Sequence, residues 1–303
     1  MVQQLGFIGL GTIGFPICRN LAESGVAVVA YDARPRPARV AQLRERGARV
    51  VERAAEVAIG SDAVMTVLPD SDAVESVLLS PDLLANLAPG TICIETSSGY
   101  PSATVRMGHV LAEHSVTLID APICNGSVPG AYNRQITLCV GGDLAALERV
   151  RPTLAHVASA IIHVGPLGAG HALKIVNNAI SEAVTTVVAE GLALGEAFGL
   201  ERERLVSILS QCSTSKASFE RAAASYLEEP GADVIFQLYL MTKDLRYAAM
   251  LAGEVGSPHP ATDATHGLFE IAERVLGPGA ESSTAPAQLL RRFGSRARPA
   301  EPR

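Results

Sequence analysis

The sequence predicts a two-part α/β protein, with a parallel sheet covered by helices over residues 1–165, helices alone over 166–290 and a flexible tail at 291–303. Three observations carry this. Short, nearly continuous apolar runs alternate with helix-compatible segments in the first part, as strands buried on both faces of a parallel sheet do. The first run passes straight into Gly9-Leu10-Gly11-Thr12-Ile13-Gly14. From Gly168 to about Ala197 no proline interrupts a helical pattern of about 30 residues, about 45 Å long at 1.5 Å per residue.

In chain order the strands are Leu5–Ile8, Val26–Tyr31, Ala63–Leu68, Thr91–Glu95 and Thr117–Asp120, with Ile136–Val140 and Ile161–His163 as extensions of the sheet. Phe15–Ser24 is the first helix. The long helix suits a bridge between two domains or a dimer interface, and its small residues and the apolar helical faces after it fit a homo-oligomer, a dimer. Beyond it the helical segments are Glu201–Gln211, Ser215–Leu227, Phe236–Ala252 and Thr262–Val275, closed by Gly277-Pro278-Gly279. The last ten or so residues carry Arg and Pro without apolar pattern and read as disordered.

A Gly-x-Gly-x-x-Gly turn between strand and helix, with the next strand ending in an acid, is the pattern of a dinucleotide site. Gly9 allows the tight turn, Gly11 the close approach of a pyrophosphate and Gly14 close packing of helix on strand. Thr12 and Ile13 lie between them at the helix N-terminus, whose N–H groups and dipole favour the negative diphosphate. The first domain is therefore Rossmann-like. Asp32 stands 18 residues past Gly14, where an acid accepts hydrogen bonds from the adenosine ribose. A carboxylate there repels a 2′-phosphate and favours NAD. Arg34, Arg36 and Arg39 follow at once and keep NADP as the alternative.

A chain of 303 residues is long enough for two cores. It is 48% apolar and 18% charged, with a formal net charge of -6 and no basic stripe, which argues against nucleic acid as a partner. Cys18, Cys93, Cys124, Cys139 and Cys212 show neither a C-x-x-C pair nor metal-ligand spacing. They read as reduced thiols of a cytoplasmic protein, and no metal is expected. No basic leader precedes the first strand and no segment reaches 18 consecutive apolar residues, so neither a signal peptide nor a membrane span is expected.

The long helix opens Gly168-Ala169-Gly170-His171-Ala172-Leu173-Lys174-Ile175-Val176-Asn177-Asn178. Lys174 and Asn178 are four apart and share a helix face, with His171 on much the same face. A lysine near the start of an apolar helix is an acid/base candidate, because burial, nearby positive charge and the helix N-terminus all favour its neutral form. Asn178 can bond a hydroxyl or carbonyl oxygen without adding charge. A surface lysine and an interface asparagine are the plainer alternative. His171 reads as a local hydrogen-bonding residue rather than the base.

These stretches together resemble the β-hydroxyacid dehydrogenase family, which includes 3-hydroxyisobutyrate dehydrogenase and relatives of 6-phosphogluconate dehydrogenase. The resemblance runs from residue 5 to about 290. Its motifs are Gly6-Phe7-Ile8-Gly9-Leu10-Gly11-Thr12-Ile13-Gly14, Leu68-Pro69, Asp120-Ala121-Pro122, Gly168-x-Gly170-x-x-x-Lys174-x-x-Asn177-Asn178 and Phe236-x-x-x-Leu240-Met241-x-Lys243-Asp244-Leu245, in that order. It implies hydride transfer between a nicotinamide cofactor and a 3-hydroxy acid or its semialdehyde, with the active site in the cleft between the domains. Lys174 then exchanges the proton at the substrate oxygen and Asn178 helps hold the substrate. Leu68 and Pro69 line the cofactor, Ser98 lies near the nicotinamide ribose with Ser97 as its polar neighbour on the substrate side, and Lys243 reaches toward cofactor and cleft.

One stretch departs from the family. Where a small residue and Ser-Gly-Gly usually follow Asp-Ala-Pro, this chain has Ile123-Cys124-Asn125-Gly126-Ser127, and the loop is one residue longer. Cys124 replaces a hydroxyl with a weaker donor, and Asn125 adds bulk and two donors where a carboxylate normally sits. Arg134, a second candidate for the carboxylate, and Tyr132 stand a few residues on. An altered substrate pocket built on Cys124, Asn125 and Gly126 follows. No base is spaced beside Cys124, so it is not read as a covalent nucleophile. Two alternatives accompany the hydroxyacid reading: an imine reductase on the same scaffold, which usually lacks the helix lysine, and a catalytically silent nucleotide-binding protein.

Overall fold

A computed structural model describes residues 2–212, 234, 236–255 and 259–294. The chain divides into two units, Met1–Lys174 and Ile175–Arg303.

The first unit carries nine strands: β1 Gln4–Ile8, β2 Ala27–Tyr31, β3 Arg49–Val50, β4 Ala63–Thr66, β5 Ile92–Glu95, β6 Thr117–Asp120, β7 Ile123–Asn125, β8 Ile136–Gly141 and β9 Ala158–Gly165. Its helices are α1 Gly14–Glu23, α2 Pro37–Glu45, α3 Ser71–Leu78, α4 Pro81–Leu84, α5 Pro101–Glu113, α6 Val128–Tyr132 and α7 Leu144–Leu154. The sheet order is β3-β2-β1-β4-β5-β6-β8-β7, with β9 on β8. β1 to β6 are mutually parallel, whereas β8 runs antiparallel to β6 and β7. Strand order reverses beside β1, between β2 and β4, and ligands of such sheets bind outside the carboxyl ends of the strands at that switch point.

The continuous apolar runs are explained by burial on two faces. Phe7, Met65, Ile94 and Ile119 point into one core with Ile17 and Leu21 of α1. Their neighbours Ile8, Val64, Cys93 and Leu118 point into the other, with Leu78, Met107 and Leu111. Alternate residues serve opposite faces, so no position on these strands has a reason to be polar until each strand ends. Two strands escaped the sequence reading: β3 is two residues long and β7 three, too short to show a period. β9 runs past Ile161–His163 at both ends, where small residues (Ala158, Ala160, Gly165) and the exposed Ser159 break the apolar run.

α8 spans Ala169–Phe198, 30 residues, beginning in the first unit and continuing in the second. The second unit continues with α9 Arg202–Cys212, α10 Leu238–Val255, α11 Pro260–Leu276 and α12 Ala285–Gly294. Leu238, Met241 and Leu245 of α10 pack with Phe269 and Ala272 of α11 and with Ala285 and Leu289 of α12. The segment Ser215–Leu227, read as helical, lies outside the described residues, as do 295–303. α12 continues to Gly294, four residues into the stretch assigned to the tail, with Leu289 and Leu290 preceding Arg291 and Arg292 on its last turns. Among the described residues, no helix is long and apolar enough to cross a membrane.

Candidate active site

Backbone geometry explains two of the three motif glycines as structural and leaves the third exposed. Gly9 has φ +104° and donates its N–H to the Tyr31 carbonyl at 2.9 Å. A Cβ there would overlap the Val67 carbonyl, and one on Gly14 would overlap the Gly9 carbonyl. Gly11 is different: it is exposed, and a Cβ on it would meet nothing within 4 Å. The loop thus brings backbone close at Gly9 and Gly14 and keeps open space over Gly11, where a diphosphate needs it. Thr12 is exposed and Ile13 half-buried at the start of α1, and no described side chain caps that helix. Its first N–H groups can therefore serve an anion. The loop fits a dinucleotide.

Asp32, at the end of β2, closes the same loop. One carboxylate oxygen accepts the Leu10 N–H at 2.6 Å and the other the Arg34 N–H at 2.7 Å. Arg39 reaches back from α2 to donate to the Leu10 carbonyl at 2.6 Å, its guanidinium 5.2 Å above the Phe15 ring. On the other side of the switch point, Leu68 and Pro69 follow β4. The Leu68 N–H donates to Ser97 Oγ at 2.9 Å, tying the loop after β4 to the loop after β5. Ser97 is buried and Ser98 half-buried.

The start of α8 is held by carboxylates that end neighbouring strands. Asp120, fully buried at the end of β6, accepts the Gly168 N–H on one oxygen and the His171 N–H on the other, each at 2.7 Å. A carboxylate facing a helix N-terminus is stabilised there. Gly141 and Gly170 make the approach feasible: a Cβ on either would crowd the Asp120 carboxylate. Glu95, ending β5, accepts the Ser97 N–H on Oε1 at 2.8 Å, and its Oε2 lies 2.6 Å from His171 Nε2. His171 Nδ1 is 2.8 Å from Thr104 Oγ1. That hydroxyl also lies 3.2 Å from the Tyr100 carbonyl, to which it can donate. The buried Glu95 carboxylate beside Nε2 favours the charged form of the ring. Burial works against that charge, but the attraction and hydrogen bond of Glu95, together with Asp120 and the Ser97 carbonyl, outweigh it and raise the His171 pKa.

A stability prediction follows with a definite sign. Because the folded pKa of His171 lies above its unfolded value of about 6.5, its contribution is complete below that pH and is lost as pH rises through the folded pKa. Thermal unfolding from pH 6 upward should show stability falling through that window, and His171→Gln should flatten this part of the curve. An unchanged profile in the variant would contradict the charged ring.

Lys174 follows His171 by three residues and is half-buried, the last residue of the first unit. The Cys124 thiol is close enough to feel its charge. Cys124 is the bulged residue between the β7–β8 pairs Ile123↔Leu138 and Asn125↔Thr137, and Asn125 and Gly126 beyond it are exposed. Burial pushes the Cys124 thiol up to about 12, the neighbouring Cys139 thiol acts the same way, and Lys174 opposes both. The thiol stays protonated at neutral pH, which disfavours nucleophilic chemistry. Arg134, with φ +61°, turns toward α1, its guanidinium 3.8 Å from Glu23, and Tyr132 lies under Arg19.

In the second unit Asn178 is buried and its Nδ2 donates to Asp244 Oδ2 at 2.8 Å. Lys243 Nζ lies 3.1 Å from Asp244 Oδ1 and 5.2 Å from the Tyr247 ring centroid. Asp244 thus joins the asparagine to the second lysine.

The model of the NAD binding domain of 6-phosphogluconate dehydrogenase matches residues 4–165, and that of the NAD-binding domain of NADP-dependent 3-hydroxyisobutyrate dehydrogenase matches 168–290. The chain belongs to the β-hydroxyacid dehydrogenase family. Within that family it is 35% identical over 283 residues to the 2-(hydroxymethyl)glutarate dehydrogenase of Eubacterium barkeri, covering 93% of each chain. The 3-hydroxyisobutyrate dehydrogenase of Mycobacterium tuberculosis, solved with L-serine, superposes with a TM-score of 0.80 at 27% identity, over 95% of this chain and 99% of that one. An imine reductase of Myxococcus stipitatus, in complex with NAD+, superposes at 0.63 with 18% identity, over 97% of this chain and 99% of that one, a likeness of fold alone. As a family member the chain is an NAD(P)-dependent oxidoreductase.

Against the family pattern, the sequence reading picked out the lysine, the asparagine and the glycine loop but passed over their supports. Glu95, Thr104, Asp120 and Asp244 carry the hydrogen bonds that hold those groups. A legible signal existed for two of them: Glu95 and Asp120 are acids that end adjacent apolar strands at the carboxyl edge of a parallel sheet.

Proposed function

We propose that this family member oxidises a 3-hydroxy acid carrying a hydroxymethyl group beside its carboxylate, HOCH2–CHR–COO−, to the semialdehyde, and catalyses the reverse reduction. The observation that carries the reading is Lys174, presented by the first turns of a helix whose start is fixed to the ends of β5 and β6. 2-(Hydroxymethyl)glutarate, 3-hydroxyisobutyrate and L-serine, the compounds named with the relatives above, share that skeleton and differ in R. The nicotinamide cofactor at the glycine loop supplies the hydride acceptor. Lys174, in its neutral form, takes the proton from the substrate hydroxyl as the carbinol carbon loses hydride; in reduction its ammonium returns that proton to the carbonyl oxygen. Asn178 helps hold the substrate, oriented by its bond to Asp244. Asn125 and the backbone at Gly126 receive the carboxylate.

Asp32 supports NAD over NADP, since a carboxylate after β2 repels a 2′-phosphate, and Arg39 is committed to the Leu10 carbonyl and the Phe15 ring. The buried, unbridged thiols of Cys18 and Cys93 suit a reducing compartment such as the cytoplasm. Exposed Ile180 and Val187 on α8 suit a homodimer.

The test is absorbance at 340 nm with NAD and NADP across 3-hydroxypropionate derivatives, simple alcohols and cyclic amines. Turnover of the hydroxy acids with NAD preferred is the expected result. Turnover confined to cyclic amines would sink the proposal in favour of imine chemistry. Cys124→Ser tests the altered loop separately. A hydroxyl donates a stronger hydrogen bond than a thiol, so KM for the hydroxy acid should fall about 3- to 10-fold with kcat little changed. An unmoved KM would take Cys124 out of the substrate pocket.

A further inference from the structure

The first unit buries an ion pair that the chemistry just proposed does not use. Glu95 and His171 are 1% and 0% exposed and 2.6 Å apart. A buried ion pair is a poor source of stability, because well-packed apolar residues often serve as well or better. What it does supply is position, since two fully buried groups 2.6 Å apart leave each other little room to move.

The contacts of the pair reach the groups of the proposed chemistry from two sides. Glu95 Oε1 holds the Ser97 N–H, and Ser97 Oγ holds the Leu68 N–H, so this carboxylate sets the two loops that follow β4 and β5. Its other oxygen holds His171, one turn before Lys174 on α8. Thr104 of α5 fixes the opposite ring nitrogen, and Asp120 fixes the main chain of the same turn. The fit is tight: a Cβ on Gly99 would lie 2.7 Å from the imidazole and 2.9 Å from Glu95 Oε2.

We propose that Glu95 and His171 are a positioning pair that sets Lys174 in register with the cofactor-lining loops at Leu68 and Ser97. Neither residue touches substrate. Both act through the first turn of α8, and the inference rests on Lys174 being the acid/base. A displacement of about 1 Å at a reacting group can cost about 10²-fold in rate, whereas the groups that bind cofactor and substrate are separate residues. The signature is therefore a loss in kcat without a matching loss in binding.

The experiment measures kcat, KM, the NADH dissociation constant by fluorescence and the melting temperature for His171→Gln, Thr104→Val and Lys174→Ala. In His171→Gln kcat should fall about 10- to 100-fold, with KM and the NADH dissociation constant within about threefold of the parent. Thr104→Val removes the Nδ1 partner while leaving the ring in place and should show the same split at about 3- to 10-fold in kcat. It keeps the proposal open to refutation if His171→Gln does not fold. A folded variant with unchanged kcat overturns the proposal, and so does a fall in kcat matched by equal weakening of NADH binding. Lys174→Ala separates the two readings. If it stays active, the assignment of the lysine fails. If it is dead while His171→Gln and Thr104→Val are fully active, only the positioning role fails.

Discussion

Replacing Lys174 with alanine should lower kcat for hydroxy-acid oxidation by about 10²- to 10⁴-fold, the usual worth of a positioned general acid/base. The substrate hydroxyl has a pKa far above neutrality, so hydride cannot leave the carbinol carbon at a useful rate unless the proton has a place to go. Lys174 is half-buried three residues past the anchored His171, and its loss leaves the glycine loop untouched. NADH binding should therefore stay within about twofold and the melting temperature within a few degrees, because truncating a partly exposed lysine costs little. Exogenous methylamine should restore part of the rate in the cavity left by the side chain. Should the variant keep full activity on hydroxy acids, the proton goes elsewhere and the mechanism proposed above is wrong. The same variant divides the chemistries: a cyclic imine is already protonated in its reactive form, so imine reduction would survive a change that stops carbonyl reduction.

The second large effect concerns the glycine loop, where neighbouring glycines should fail in different ways. Gly9→Ala places a side chain at φ +104° and against the Val67 carbonyl. The backbone strain costs about 1–2 kcal/mol and the crowding about 1–3 kcal/mol. Melting temperature should drop markedly and cofactor binding should go with it. Gly11→Ala meets nothing within 4 Å, so it should melt like the parent. Its methyl group nevertheless occupies the space a pyrophosphate needs, and the NADH dissociation constant should rise about tenfold or more, about 1.4 kcal/mol or above. Calorimetry and fluorescence titration read the two quantities separately. Equal destabilisation of the two variants, or unaltered cofactor affinity in Gly11→Ala, would show that the diphosphate does not lie over Gly11.

The sheet and the long helix were legible because their physical causes are local or periodic. Strands buried on two faces need continuous apolar runs, and the runs ending at Ile8, Tyr31, Glu95 and Asp120 supplied them. The long helix announced itself by the absence of any breaker, and it spans Ala169–Phe198 against a reading of Gly168 to about Ala197. β3 and β7 were not legible. Two or three residues carry no period, and both strands exist because a neighbouring strand offers them hydrogen bonds. Arg134 shows the same limit at the site. Its nearness in sequence to Asn125 made it a candidate for a substrate carboxylate, but a left-handed residue at 134 carries its side chain to Glu23 on α1.

By itself the sequence determined the nucleotide-binding fold and, through its resemblance to a family, the reaction class. Glycine spacing, a terminal acid and a lysine four residues before an asparagine are facts about covalent order, and each has a chemical meaning that survives without coordinates. Tertiary structure alone decided what holds those groups. Glu95, Asp120 and His171 lie on three elements far apart in sequence, and no period or motif links them. They meet because β5 and β6 are adjacent and parallel and therefore end on one edge, where the chain returns to begin α8. A buried carboxylate must find donors wherever the fold brings them, and that partnership is a property of packing, which the linear order of residues does not contain.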